Sequence, residues 1–443
     1  MPEPSESTGT AGTAGTAGTL IIGNSQAGVQ LASTLRELGD TEPIVLVGNE
    51  AHPPYQRPPL SKAFLKGDAT TQSLAFRSDD FYREHSIEVV TGEHIVSITR
   101  DAFGGEAVSA SGRRFLFARL ALTTGAAPRK LPFTGSELRG VGYLRDAADA
   151  TRLLSDLAAA TNVAIVGGGF IGLEVAASAR AAGKNVTVFE AAPRLIGRAV
   201  SEETSAFYLG AHERRGVRVV LNARVSGFVG QPGSGDVPGS GDVPGEVTGV
   251  RLDDGSIVPA EVVLIGVGVI PRTELAEQLG LAVDNGIVVD SQARASDGLT
   301  VAAGDCANMP NPSRADIGTD FGAGRLRLES VQNAVEQAKV AAATLLGLES
   351  EHRMVPWFWS DQADLKLQIA GLSGHHDRVI VRGNPHDEKF SVLYYRGDQL
   401  IAADCVNSPL DFMAVRNALN HDQSIPAELA ADASLSLKKV TTP

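Results

Sequence analysis

Residues Val163–Glu190 read VAIVGGGFIGLEVAASARAAGKNVTVFE. The opening run Val163–Val166 is short, apolar and β-branched, as a buried parallel strand requires. Gly167, Gly169 and Gly172 follow at G-x-G-x-x-G spacing, with Phe170 and Ile171 between the last two, and the pattern beyond them is helical. The first glycine permits a tight turn, the second lets backbone approach a pyrophosphate, and the third lets helix and strand pack closely. Oriented N–H groups at the helix start then face the phosphate oxygens. A second strand, Val186–Phe189, ends in Glu190, about where a carboxylate accepts hydrogen bonds from an adenosine ribose. Strand, glycine turn, helix, strand and terminal acid in register predict a dinucleotide-binding βαβ unit. The competing reading is a glycine-rich loop in an ordinary βαβ unit. Glu190 favours NAD over NADP, because a 2′-phosphate would meet its negative charge.

A similar unit opens the chain. Leu20–Ile22 form a short strand leading into Gly23-Asn24-Ser25-Gln26-Ala27-Gly28, a helical pattern runs to Leu38, and a strand follows from Ile44 to Val47. Glu50 is placed to meet a ribose. Ser25 stands where the middle glycine is expected, the position that allows the closest backbone approach to a pyrophosphate. A serine fits there if its φ is negative, and its hydroxyl can then bond a phosphate oxygen itself. Two units predict an α/β fold with two Rossmann-like dinucleotide-binding domains, and two nucleotides. The economical pairing is a bound FAD and NADH as co-substrate.

The 443 residues exceed one small core, so two or three domains are expected. A formal net charge of −13 argues against nucleic acid as a partner. The two cysteines, Cys306 and Cys405, form no C-x-x-C pair, which suits a reducing cytoplasm. No run approaches the roughly 18 to 20 apolar residues of a membrane span, and the N-terminus lacks a signal-peptide pattern. Residues 1–18 carry a repeated Thr-Ala-Gly triplet and are expected to be a disordered tail, with order beginning at Thr19. The segment Gly233–Gly245, GSGDVPGSGDVPG, reads as a flexible hairpin extension. Between Asn311 and Leu328 a looser stretch carries Arg314, Arg325 and Arg327. It is either a solvated insertion or a basic patch for an acidic protein partner.

Tyr55-Gln56-Arg57-Pro58-Pro59-Leu60-Ser61-Lys62 follows the first unit. Its prolines fix φ and remove donors, so it reads either as a rigid holder for Arg57 and Lys62 or as a surface loop with two solvated cations. Together with the two glycine motifs, this segment resembles the oxygenase-coupled ferredoxin reductases, flavoproteins that serve Rieske-type dioxygenases and cytochromes P450. Further matching stretches arrive in the same order. Leu122-Thr123-Thr124-Gly125-Ala126 with Arg129 resembles the crossing between the FAD and NAD domains. Tyr143-Leu144-Arg145 resembles the segment whose arginine contacts FAD. Val301-Ala302-Ala303-Gly304-Asp305 resembles the motif whose aspartate bonds the ribityl chain. Glu329-Ser330-Val331-Gln332-Asn333-Ala334 resembles the helix start beneath the isoalloxazine, and Pro356–Gln362 the opening of a C-terminal domain.

That resemblance implies a glutathione-reductase-like arrangement: an FAD-binding domain from 19–132 and 269–349, an NAD-binding domain from 133–268, and a small C-terminal α+β domain from 350–443. It places Gly23, Ser25, Ala27, Gly28, Glu50, Arg57, Lys62, Ile95, Thr124, Gly125, Arg145, Asp305, Ser330, Val331 and Trp359 at FAD. Gly167, Gly169, Phe170, Ile171, Gly172, Glu190, Gly266 and Gly268 fall at NAD. Arg272 stands where such proteins often carry asparagine. The implied activity is NADH:ferredoxin reduction, with a two-iron two-sulphur ferredoxin as partner, in a cytoplasmic monomer or homodimer of an aromatic-hydrocarbon oxygenase system.

Hydride delivery to a flavin needs no protein nucleophile, and none is evident. Glu174 lies two residues beyond Gly172, on the first helical turn, where the helix dipole favours a carboxylate. The resemblance instead pairs it with Lys62, and these two are the catalytic candidates: Lys62 favours the anionic reduced ring, and Glu174 offsets that cation when the ring is oxidised. Trp357 and Trp359, at strand spacing on one face, are plain core in the simpler reading and flavin wall or electron exit in the other. Cys306 reads as a small buried apolar residue. A disulfide or peroxide reductase would need a cysteine near the flavin, and none precedes Cys306. The remaining alternative is a signalling flavoprotein resembling apoptosis-inducing factor.

Overall fold

A computed structural model describes residues 13–231, 245–311, 324–350 and 355–442. Two parallel-centred sheets and one antiparallel sheet frame it. The first runs Ile87–Val90, Ile44–Val47, Thr13–Ile22, Arg114–Leu122, Gly105–Ser109, Ile95–Arg100, with Val301–Ala302 beside the end of Arg114–Leu122. Its central strands are continuous apolar runs because helices cover them, and Ile44–Val47 is buried throughout. Helix Gln26–Glu37 packs beside helix Val331–Leu345 on one face of this layer. Ser330 caps the latter, its Oγ accepting from Asn333 N–H at 3.1 Å, worth about 1 kcal/mol.

The first strand corrects the expected start of order. It begins at Thr13 rather than Thr19, pairing Thr13 with Arg114 and Ala14 with Phe115 before a register shift brings Gly18 beside Phe117. Ladder pairing uses main-chain groups alone, so a Thr-Ala-Gly repeat can extend a strand without burying a large side chain. Residues 1–12 lie outside the described residues, as do 232–244, most of the predicted hairpin extension.

The second sheet is wholly parallel, in the order Val217–Leu221, Asn185–Glu190, Asn162–Val166, Val262–Ile265, Val141–Gly142. Helix Phe170–Ala181 packs on it through Leu173, Val175, Ala176 and Ala179. The C-terminal sheet is antiparallel, Trp357–Gln362, Leu365–Gly371, Gln399–Val406, Lys389–Arg396, Arg378–Asn384. Helix Pro409–Asn420 lies against one face of it, burying Phe412, Ala414, Val415 and Ala418. The other face joins the core of the second sheet, where Phe390 meets Phe207 at 4.8 Å between ring centres.

Candidate functional site

The two glycine turns are near copies in geometry. Gly23 and Gly167 both have positive φ, +118° and +114°, which only glycine adopts without strain. An added Cβ at Gly28 would lie 2.0 Å from the Gly23 carbonyl oxygen, and one at Gly172 2.2 Å from that of Gly167. The third glycine in each unit therefore lets the helix touch its own turn. The middle position differs. Gly169 opens onto space, with nothing within 4 Å of where a methyl group would stand, whereas Ser25 takes φ −107° and its Oγ accepts from Arg57 Nε at 3.3 Å. The negative φ is the condition a serine needs there. Neither helix carries an acid in its first turn, so both N-termini present uncompensated N–H groups, as an anion site requires.

The acid after each unit is fixed in a different manner. Glu190 ends its strand, its carboxylate accepting from Gly168 N–H at 2.6 Å and Ala192 N–H at 2.7 Å. Glu50 lies three residues past Ile44–Val47, and its two oxygens accept from the Tyr55 hydroxyl and the Arg57 guanidinium. Each carboxylate keeps lone pairs for a ribose.

Pro58–Ser61 is a 3₁₀ turn that delivers Lys62 to the cleft, where its ammonium lies 2.7 Å from Glu174 Oε2. Lys62 and Arg57 are thus both paired, which overturns the reading of a loop with two solvated cations. Glu174 is the fifth residue of helix Phe170–Ala181, on its second turn, so the expected first-turn dipole placement is corrected. It is 4 % exposed, and Ser61 Oγ donates to Oε2 while Ser360 Oγ donates to Oε1 at 2.7 Å. Three donors from two distant segments converge on this buried carboxylate.

These groups share one cleft of about 2880 Å³. Gly23, Ser25, Ala27, Glu50, Arg57, Lys62, Ile95, Thr124, Gly125, Arg145, Asp305, Ser330, Val331 and Trp359 line it, together with Gly167, Gly169, Phe170, Ile171, Glu174, Glu190, Gly266 and Gly268. Gly28 and Gly172 do not; they sit behind the turns, packing helix on strand. Arg145 Nη2 donates to Asp305 Oδ2 at 3.0 Å, and its carbonyl accepts from Arg57 at 2.7 Å. Thr124 Oγ1 donates to the Arg272 carbonyl at 2.8 Å, and Arg272 N–H to the Gly125 carbonyl, so the residue at the odd position ties the crossing through its backbone.

Trp357 and Trp359 are half-buried with tilted rings 5.5 Å apart, and both border the cleft; Trp357 also packs on the C-terminal core beside Phe412, as the simpler reading expects. Arg325 and Arg327 do not form a solvated patch. Arg325 donates to the carbonyls of Val289 and Asn308, and Arg327 to that of Asp305 while pairing with Glu329. Arg314 lies outside the described residues. Cys306 is fully buried and its thiol is pushed up by burial, as is that of Cys405. Among the described residues no cluster of His, Cys, Asp and Glu has metal-ligand form, and no helix is long and apolar enough to cross a membrane.

Sequence reasoning missed two groups. Ser61 and Ser360 bond Glu174 from 113 and 186 residues away, and no local pattern marks such partners.

Fold and cleft define a two-dinucleotide oxidoreductase. The chain belongs to the pyridine nucleotide-disulphide oxidoreductase family, whose model matches residues 18–338, and it carries a reductase C-terminal domain over 357–441. It is 42 % identical over 419 residues to rhodocoxin reductase of Rhodococcus erythropolis, covering 95 % of this chain and 93 % of that protein. Among solved structures, the ferredoxin reductase for the CYP199A2 system from Rhodopseudomonas palustris superposes with a TM-score of 0.86 at 39 % identity, covering 96 % and 99 % of the two chains. The covalent putidaredoxin reductase–putidaredoxin complex gives 0.87 at 37 % identity, covering 96 % and 98 %.

Proposed function

We propose that the chain oxidises NADH and passes the electrons through FAD to a two-iron two-sulphur ferredoxin that feeds a cytochrome P450 or Rieske oxygenase. The observation that carries this reading is the one cleft that both glycine turns line, together with the Lys62–Glu174 pair. Likeness to rhodocoxin reductase and to the putidaredoxin reductase complex supports the class of acceptor. The signalling alternative is not favoured by such relatives.

The residues fit FAD. The Gly23 turn and the Gln26–Glu37 helix start suit its pyrophosphate, Glu50 its ribose, Asp305 its ribityl chain, and Lys62, Ser330, Val331 and Trp359 its ring system. On this assignment residues 19–132 and 269–349 hold FAD, 133–268 hold NADH through Gly169 and Glu190, and 350–443 wall the ring. When bound, FAD supplies an acceptor that takes two electrons together and releases them singly. The chain's own part is to orient both rings, to exclude water, and to set the charge beside the flavin through Lys62 and Glu174. A cytoplasmic setting fits the buried, unpaired cysteines.

Anaerobic rapid mixing with NADH, followed by a two-iron ferredoxin, tests the proposal. Fast flavin bleaching and then fast bleaching of the iron–sulphur absorbance is the expected result. Flavin bleaching without onward transfer would reject a ferredoxin as acceptor.

A further inference from the structure

Behind Glu174 a line of hydrogen bonds leaves the cleft and enters the protein. Ser360 Oγ donates to Glu174 Oε1 at 2.7 Å, Gln362 Nε2 donates to Ser360 Oγ at 3.2 Å, and His212 Nε2 meets Gln362 Oε1 at 2.8 Å. Ser360 and Gln362 are fully buried, and His212 is 2 % exposed. The line crosses three elements: helix Phe170–Ala181, the edge strand Trp357–Gln362 and helix Glu202–Arg214.

Its direction is set by chemistry. An amide oxygen only accepts, so His212 Nε2 carries the proton and donates. The Gln362 amide nitrogen then points at Ser360, whose single proton goes to the carboxylate. Every donor dipole is aligned toward Glu174, and such chains polarise one another in a low-dielectric interior. His212 Nδ1, buried and without a partner among the described residues, is the far end of the line. Burial holds this imidazole below the ordinary histidine range; Arg215 pushes the same way and the Gln362 bond opposes. The reading given above for Lys62 and Glu174 has no use for Gln362 or His212.

We infer that Gln362 and His212, acting through Ser360, are positioning residues that keep the Glu174 carboxylate turned toward Lys62. The inference rests on the reading of Lys62 and Glu174 as the charge pair beside the flavin. Glu174 faces Lys62 from the 3₁₀ turn, with no other ion-pair partner among the described residues. Around His212 stand Gln362 on the edge strand, Arg215 just past the end of its helix, and Tyr208 one turn earlier with its ring 6.4 Å away. Tyr208 is held neutral by burial, and Asp404 and Asp361 push its hydroxyl the same way.

The test is the flavin midpoint potential of the holoprotein at one fixed pH. Glu174→Gln sets the full shift that loss of the carboxylate produces. Ser360→Ala should move the potential part of the way to that value, because the carboxylate is then free to turn from Lys62. Gln362→Leu and His212→Phe should move it the same way by less, and His212→Gln, which restores an N–H donor, should return it. A potential unmoved in Gln362→Leu and His212→Phe overturns the inference. If Glu174→Gln leaves the potential unchanged, the reading of Glu174 itself fails instead. A second measurement reads the wild-type protein directly. With ¹⁵N-labelled histidine, His212 in the wild-type protein should remain neutral with Nε2 protonated between pH 6 and 8, its signal assigned by loss in His212→Gln. An Nδ1-protonated or cationic ring would reverse the line and overturn the inference.

Discussion

The Lys62 ammonium lies 2.7 Å from Glu174 Oε2, joining the segment that follows the first glycine unit to the helix of the second. Removing one partner leaves an uncompensated charge in a largely buried place. Glu174→Gln should therefore make the site more positive and raise the flavin midpoint potential, by about 30 mV for each 1.4 kcal/mol of lost compensation. Lys62→Met should lower it. Spectroelectrochemical titration reads both signs, and equal potentials in the two variants would separate the pair from the flavin.

The middle and third glycines of the second unit make separable predictions. Gly169 has φ −82° and open space around its missing side chain, so Gly169→Ala should fold normally and raise the KM for NADH. Gly172→Ala must displace the Gly167 carbonyl, and overpacking of that kind costs about 1–3 kcal/mol. Paired thermal melts and steady-state kinetics distinguish the cases. A lower melting temperature in Gly169→Ala would show that the position serves packing.

Ser25→Gly removes one long hydrogen bond from Arg57 at a residue whose φ any amino acid adopts. Affinity for FAD should stay equal or rise, measured by titrating the flavin-free protein. A tenfold loss, about 1.4 kcal/mol, would reveal the hydroxyl as a phosphate ligand.

Glu190 is pinned by two main-chain N–H groups and cannot swing from a 2′-phosphate without breaking both. NADH should exceed NADPH in kcat/KM by at least about tenfold. Equal efficiency would remove Glu190 from discrimination.

Asp404 is wholly buried, and burial pushes its carboxyl up to about 7 against the bonds from Tyr394 and its neighbours. A carboxyl raised on folding stabilises the protein while protonated, so its contribution is full below the unfolded value near 4 and is lost as pH rises toward 7. Asp404→Asn should be more stable than wild type at pH 8, by up to a few kcal/mol, and should flatten the change between pH 4 and 7. Denaturant midpoints at three pH values decide it. Parallel curves would mean that Asp404 does not titrate in that window.

The two βαβ units were legible because each is specified within about thirty residues by local turn chemistry and apolar period. Helix and strand edges there agree within a residue or two. The start of the first strand was not, since main-chain pairing at Thr13 leaves no side-chain signal. Arg325 and Arg327 were misjudged because a basic residue in a loosely patterned stretch looks solvated until the carbonyls it reaches are known. The tryptophans were ambiguous because strand spacing gives the face but not what lies opposite.

One carboxylate thus receives Lys62 and Ser61 from one end of the chain and Ser360 from the other. Modular exchange is constrained by this. A C-terminal domain grafted from a relative cannot be chosen by surface match alone, because it must bring a hydroxyl to the place of Ser360 or leave a buried carboxylate short of a donor. Shuffled reductases should therefore sort by that one position before they sort by overall similarity.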